Sequence, residues 1–156
     1  MIRPATPADV PVIAQLIRGL AEYERLADKC VLKEADLHRH LFGTPKYAEV
    51  LLAEDDGTVV GFALFFHNYS TFRAKPGVYL EDLFVVPEAR GKGHGKALLR
   101  ELARLALARD CARVEWSVLN WNEPSIAFYQ SLGANPMDEW SVYRLTDEPL
   151  RKLAEG

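Results

Sequence analysis

The sequence predicts an α/β fold in which one mixed sheet carries helices on its faces. Three observations predict it. Short apolar runs alternate with segments of helical period along the whole chain, an Asp-Gly turn separates two of those runs, and a glycine-rich turn leads from a strand into a helix. The expected order is strand, two helices, three strands, helix, strand, helix, strand, with a last helical turn or two at the end.

The first strand is expected at Ile2-Arg3. Thr6-Pro7-Ala8-Asp9 then combines an N-cap threonine, a proline at the first helical position and an acid where a capping box needs one. Val10, Ile13, Ile17 and Leu20 give the following helix one apolar face, and it should fade between Tyr23 and Ala27. A shorter helix is expected from about Lys33 to Phe42, closed by Gly43 and Pro45.

Glu49 to Glu54 and Thr58 to His67 read as a hairpin around Asp56-Gly57. Asn68 to Gly77 is polar, contains Pro76, and is expected to be a loop. Tyr79 to Val86 is the fourth strand, stopped by Pro87. After the glycine-rich turn, a helix runs to about Arg109 with Leu98, Leu102 and Leu105 on one side. Arg113 to Leu119 is a strand, and a helix runs from Asn122 to Leu132 and is closed by Gly133. Ser141 to Leu145 is the last strand, and Glu148 to Ala154 the last helical turns.

With 156 residues and no repeat or linker, residues 1–156 are expected to form a single domain. Hydrophobic residues make up 49% and charged residues 26%, the profile of an ordinary soluble protein. A net charge of -3 gives no broad basic surface, so no nucleic-acid partner is expected. No apolar run approaches the ~20 residues that cross a bilayer, and the opening Met-Ile-Arg-Pro-Ala-Thr moves straight into a helix start. No membrane association and no secretory signal are therefore expected, and the location is cytoplasmic by default. Cys30 and Cys111 form no CxxC pair or zinc spacing and read as free thiols. His38 and His40, two apart on a helix, point in different directions, so no metal site is expected.

The chemistry concentrates at Arg90-Gly91-Lys92-Gly93-His94-Gly95-Lys96. Glycines reach backbone conformations closed to other residues, so successive N–H groups can converge on an anion. The helix that follows adds its unpaired N–H groups and the positive end of its dipole. Arg90, Lys92 and Lys96 add charge, and His94 is a phosphate neighbour or simply exposed. A dinucleotide fingerprint would need a third glycine where Lys96 stands. A nucleoside-triphosphatase loop would need glycine in place of Arg90 and a hydroxyl in place of Ala97. Both fail at the residues that carry their chemistry.

Arg90 to Gly95 resembles the [RQ]-x-x-G-x-[GA] pyrophosphate loop of the GNAT acyltransferases. The flanking Tyr79-Leu80-Glu81-Asp82-Leu83-Phe84-Val85 and Trp121-Asn122-Glu123-Pro124-Ser125-Ile126-Ala127-Phe128-Tyr129 resemble the diamine (spermidine/spermine) and thialysine acetyltransferase branch. Ile2 to Thr6 and Leu20-Ala21-Glu22-Tyr23-Glu24 extend the likeness over nearly the whole chain. The resemblance implies a GNAT-like, mostly antiparallel central sheet flanked by helices. It also implies an acetyl-CoA-dependent N-acetyltransferase, commonly a homodimer, that acetylates a primary amine of a small cationic substrate.

The resemblance further implies roles for particular residues. The coenzyme's pantetheine arm would pair with backbone around Leu83, Phe84 and Val85, and its pyrophosphate would sit on Gly91 to Lys96. Asn122 and Ser125 would add coenzyme contacts, a role compatible with plain helix capping. Tyr129 would be the general acid for the leaving thiolate, and Glu81 the carboxylate that binds the amine and relays its proton. Tyr23, Glu24, Asp82, Glu115, Trp116 and Ser117 would line the amine site. Adjacent on a strand, Glu81 and Asp82 are expected to point to opposite faces. Only Asp138 and Glu139 stand where relatives carry a longer acidic run before the tryptophan, here Trp140. Polyamine and thialysine-like substrates both stay open. Two alternatives use the same loop: a non-catalytic acyl-CoA sensor, and an acetyltransferase acting on protein N-termini or lysines.

Overall fold

Five strands hydrogen-bond in the order in which they occur: β1 (Ile2–Pro4), β2 (Glu49–Asp55), β3 (Thr58–Ser70), β4 (Lys75–Val85) and β5 (Val114–Trp116). The first four pair antiparallel, and β5 joins β4 in parallel. The computed structural model describes residues 1–156. They fall into two units, Met1–Leu119, which holds this sheet, and Asn120–Gly156.

Alternation along the strands divides the apolar side chains between two faces. Val50, Leu52, Phe62 and Phe84 join Ile13, Leu16 and Leu20 of α1 (Val10–Tyr23) and Leu41 of α2 (Glu34–Phe42) in one core. Gly19 lets α1 approach closely, since a Cβ there would lie 3.1 Å from the Phe84 ring. Leu51, Ala63 and Phe65, one step out of phase, are also buried. They form the face on which α3 (His94–Ala108) lies through Leu98, Leu102 and Ala106. Arg3 fastens the start of α1 to the strands. It donates to both carboxylate oxygens of Asp9, at 2.8 and 2.9 Å, and also pairs with Glu54. The guanidinium holds the Asp9 carboxyl well below the usual range.

The helix starts follow their sequence signals. The Thr6 N–H donates to the Asp9 carboxylate at 2.7 Å, and Pro7–Asp9 forms a 3-10 turn that runs directly into α1. Asp56 and Gly57 both have positive φ, 54° and 77°, the conformation that a two-residue hairpin turn requires.

Three expectations are corrected. Asn68 to Gly77 is not a loop: β3 runs on to Ser70 and β4 begins at Lys75, with Tyr69 opposite Pro76. Polarity hid this extension because an exposed hairpin end needs no apolar face. The fifth strand covers only Val114–Trp116 rather than Arg113 to Leu119. Ser141 to Leu145 is no strand at all, although its alternation suits one. No strand of the sheet pairs with it, and Val142 and Tyr143 are 85% and 95% exposed. A strand exists only where a neighbour takes its backbone hydrogen bonds.

In the second unit, α4 (Glu123–Ser131) starts at Asn122, whose side chain accepts the Ser125 N–H at 3.4 Å. The chain leaves α4 through Gly133 at φ 89°. The unit closes with α5 (Asp147–Glu155), which leaves Leu150 and Leu153 exposed.

Phe62 is fully buried between α1 and the sheet. Phe62→Ala is expected to cost about 3–5 kcal/mol. Urea unfolding should show a lower midpoint at an unchanged slope.

Candidate active site

Strand β4 pairs with β5 only from Val78 to Leu80, where Leu80 faces Trp116. Beyond that point β5 has ended, so Asp82 to Val85 pair with β3 on one side and have no β5 partner on the other. A strand edge of this kind presents main-chain N–H and C=O groups to an extended, amide-bearing ligand.

A register shift lies at the same place. Leu64 faces Asp82 and the next residue of β3, Phe65, faces Leu80, so Glu81 is an extra residue, a β-bulge. The bulge overturns the expectation that Glu81 and Asp82 point to opposite faces. Glu81 and Asp82 both act on the end of α1. Burial first, then the charges of Glu81 and Glu24, push the Asp82 carboxyl up to about 7. Burial and Glu81 likewise raise Glu24, which caps α1 immediately after Tyr23. Three carboxylates from two elements thus share one electrostatic neighbourhood, which favours a cation and disfavours keeping all three groups ionised without one. Glu81 is exposed, while Asp82, Glu24 and Tyr23 are half-buried.

From Val85 the chain passes through a 3-10 turn, Pro87–Ala89, into the glycine-rich loop. Gly91 and Gly93 take φ of 81° and 86°, and a Cβ at either would meet nothing within 4 Å. The glycines therefore serve conformation, and open space lies beside them. Gly93 caps α3 without any side-chain hydrogen bond. The N–H groups of His94, Gly95 and Lys96 stand in the first turn, where no helical carbonyl precedes them. The first capping bond is that from the Ala97 N–H to the Gly93 carbonyl, at 3.0 Å. The residues present fit a pyrophosphate: a cradle of unengaged N–H groups at the positive end of a helix of 15 residues.

Three charged or titratable side chains of the loop engage other parts of the unit. Lys92 Nζ lies 3.2 Å and His94 Nε2 3.4 Å from Asp55 Oδ2, at the end of β2. These contacts, the lysine's first, hold the Asp55 carboxyl below its usual range. Arg90 Nε donates to the Val85 carbonyl at 2.9 Å, and its guanidinium lies over the Tyr23 ring, 4.8 Å from the centroid. Lys96 is exposed on α3. Nothing in the sequence spacing marked Asp55, because the contact joins a hairpin turn to a loop far along the chain.

On β5, Glu115 accepts from Arg113 Nε at 2.9 Å and from Asn68 Nδ2 at 3.1 Å, which ties it to the β3–β4 hairpin. The exposed Ser117 hydroxyl lies 2.9 Å from the Tyr79 hydroxyl, and Trp116 is half-buried. In the second unit, Asn122 is 6% exposed and Ser125 is half-buried. The Tyr129 ring lies 5.6 Å from that of Phe128. No group of three or more His, Cys, Asp or Glu residues comes together as a metal site.

Comparison with known proteins places these features in a family. The model of the Acetyltransferase (GNAT) family matches residues 17–134. The chain is 40% identical to the thialysine N-epsilon-acetyltransferase of Bos taurus, over 99% of this chain and 96% of that protein. It is 34% identical to the L-ornithine N5-acetyltransferase of Arabidopsis thaliana, over 97% of this chain and 86% of that protein. An integron cassette protein from the mobile metagenome of V. cholerae superposes with a TM-score of 0.82 at 29% identity, over 100% and 98% of the two chains.

The raised Asp82 carboxyl makes a pH-dependent prediction. Its folded value of about 7 lies above the ordinary ~3.9, so between those two values the folded state holds the proton that the unfolded chain has lost. Stability from this group is therefore lost as pH rises towards 7. Asp82→Asn should stabilise the protein by up to about 4 kcal/mol at pH 8, with the gain shrinking as pH falls towards 4. Thermal melts of both proteins across that range measure it.

Proposed function

The chain belongs to the GNAT acetyltransferase family, and from that premise we propose that it acetylates the primary amine of a small lysine-like, ornithine-like or polyamine substrate. The reaction is an N-acetyl transfer to an amine, with acetyl-CoA as cosubstrate. The observation that carries the reading is the adjacency of three parts in one unit: the open β4 edge, the glycine cradle and the carboxylates Glu24, Glu81 and Asp82. An acyl-CoA sensor would leave those carboxylates without a use.

The acetyl-CoA thioester supplies an activated acyl carbon when bound. Leu83, Phe84 and Val85 offer main-chain groups to the pantetheine arm, and Gly91 to Lys96 offer N–H groups to the pyrophosphate. Lys92 and His94 stand beside that cradle. Asn122 and Ser125, already engaged with each other, add coenzyme contacts from the start of α4.

The amine arrives as an ammonium ion, and neutralising it at pH 7 costs about 4–5 kcal/mol from its ordinary pKa of ~10.4. Glu24 and Glu81 attract it, with Tyr23 beside them, and Glu81 passes its proton on. A carboxylate that only attracted the cation would raise the amine's pKa and work against the attack. Asp82 resolves this: near neutral pH its carboxyl is poised between its two states and takes up a proton more readily than an ordinary aspartate. Trp116 at the end of the neighbouring β5 and Ser117 just after it line the amine side, and Glu115 holds that wall in place through Arg113 and Asn68. Tyr129 donates the proton that the departing thiolate needs, a step uphill by about 2 kcal/mol from a phenol near ~10 to a thiol near ~8.5.

We read residues 1–156 as a single acyltransferase domain, a reading supported by the family match over residues 17–134, which includes residues of both units. The protein works as a homodimer in the cytoplasm. Trp140, Val142, Tyr143 and Leu153 are all at least 72% exposed in the single chain, an apolar surface suited to a second copy. Cys30 and Cys111 are unpaired, as a reducing compartment requires.

Incubation with acetyl-CoA and a panel of thialysine, L-ornithine, lysine and spermidine, read by free thiol release, should show turnover of at least one amine. Tyr129→Phe should lower kcat roughly 10²-fold, and unchanged turnover would remove Tyr129 from the mechanism. Glu81→Gln should raise KM for the amine more than KM for acetyl-CoA, whereas equal changes would signify general damage. Light scattering should give twice the chain mass for the native protein and a shift towards monomer for Tyr143→Asp.

A further inference from the structure

Arg90 opens the loop assigned to the coenzyme, yet its side chain is engaged elsewhere. Its Nε–H donates to the carbonyl of Val85, the last residue of β4. Its guanidinium carbon lies 4.8 Å from the centroid of the Tyr23 ring and 5.5 Å from that of Phe84. Tyr23 is the last residue of α1, and Glu24 follows it directly. One side chain therefore joins the start of the loop, the end of β4 and the last turn of α1.

The chemistry of the contact suits arginine in particular. A guanidinium is planar and delocalised, so it can rest on an aromatic face while its Nε–H edge donates a hydrogen bond. A lysine ammonium is a compact point charge with no flat face to stack on the ring while an edge donates, so it holds the ring less firmly. If the role were simply to add charge near a phosphate, lysine would serve as well.

Taking the acetyl-transfer reading as its premise, we propose that Arg90 is a positioning residue that fastens Tyr23 and Glu24 to the coenzyme loop and so couples the binding of the two substrates. A loop ordered on a pyrophosphate holds the Arg90 backbone in one place. The guanidinium then lies in one place too, and with it the ring on which it rests. Glu24, one residue further on, is thereby held beside Glu81, whose charge it already feels. Linkage makes the effect mutual: an amine that favours this arrangement of α1 also favours the ordered loop.

The test is a grid of initial rates over acetyl-CoA and thialysine, or L-ornithine where that amine turns over better, with CoA affinity measured separately by calorimetry. In the native protein the apparent KM for the amine should fall about 5-fold or more between low and saturating acetyl-CoA. Arg90→Lys and Arg90→Gln should both abolish that dependence and raise the amine KM about 5–10-fold. The affinity for CoA alone should stay within about twofold. Tyr23→Phe, which keeps the ring face, should retain the dependence on acetyl-CoA whatever its own amine KM, and Tyr23→Leu should lose it. The Tyr23 pair reads the same contact from α1, so it decides the matter even if the Arg90 variants do not fold.

Loss of CoA affinity in Arg90→Gln with recovery in Arg90→Lys would overturn the proposal and make Arg90 a phosphate ligand. An undiminished dependence in Arg90→Lys or in Tyr23→Leu would also overturn it. Absence of thiol release by the native protein with every amine would instead sink the acetyl-transfer reading, and this inference with it.

Discussion

The parting of β5 from β4 after Leu80 is the constraint on which the site depends. While two strands pair, each satisfies the other's backbone and neither can bind anything along the shared edge. Once β5 stops, Asp82 to Val85 have main-chain groups to offer on one side and the support of β3 on the other. The bulge at Glu81 falls where the pairing ends, and it turns two adjacent acids towards a common neighbourhood. A binding edge and a cation-attracting cluster therefore arise from one irregularity in one strand.

The loop that follows extends the same logic. Its glycines take left-handed conformations with open space around them, and the helix behind it begins with N–H groups that have no helical carbonyl before them. Around this main-chain cradle the charged side chains pair with other parts of the unit. Lys92 and His94 reach Asp55, and Arg90 reaches back to β4 and α1. In the proposed reading anion recognition falls to the backbone, while the side chains hold the loop against the β2–β3 turn and the last turn of α1. Asp82, pressed by burial and by two neighbouring acids, gives the site a group that titrates near neutrality.

Much of this was legible in the sequence because local chemistry decided it. Thr6-Pro7-Ala8-Asp9 starts a helix, Asp56-Gly57 makes a tight turn, and Arg90 to Lys96 turns through left-handed glycines into a helix, each from short-range rules. What could not be read there depended on partners distant in sequence. The hairpin through Asn68 to Gly77 is polar because it is exposed, so its pairing left no apolar pattern. The bulge at Glu81 is a mismatch between two strands and reverses an inference drawn from one strand alone. Ser141 to Leu145 carries the alternation of a strand but finds no neighbour in the chain. Nothing in the sequence spacing marks the contacts of Arg90 with Tyr23 and Val85, which join the loop to α1 and β4.

The most direct measurement of the central claim is residue-resolved amide NMR during titration of the folded protein with CoA. The amides of Leu83 to Val85 and of Gly91 to Lys96 should shift together and saturate together, with the strand β1 unaffected. A titration in which those amides stay still, or in which CoA perturbs only other parts of the chain, would contradict the account.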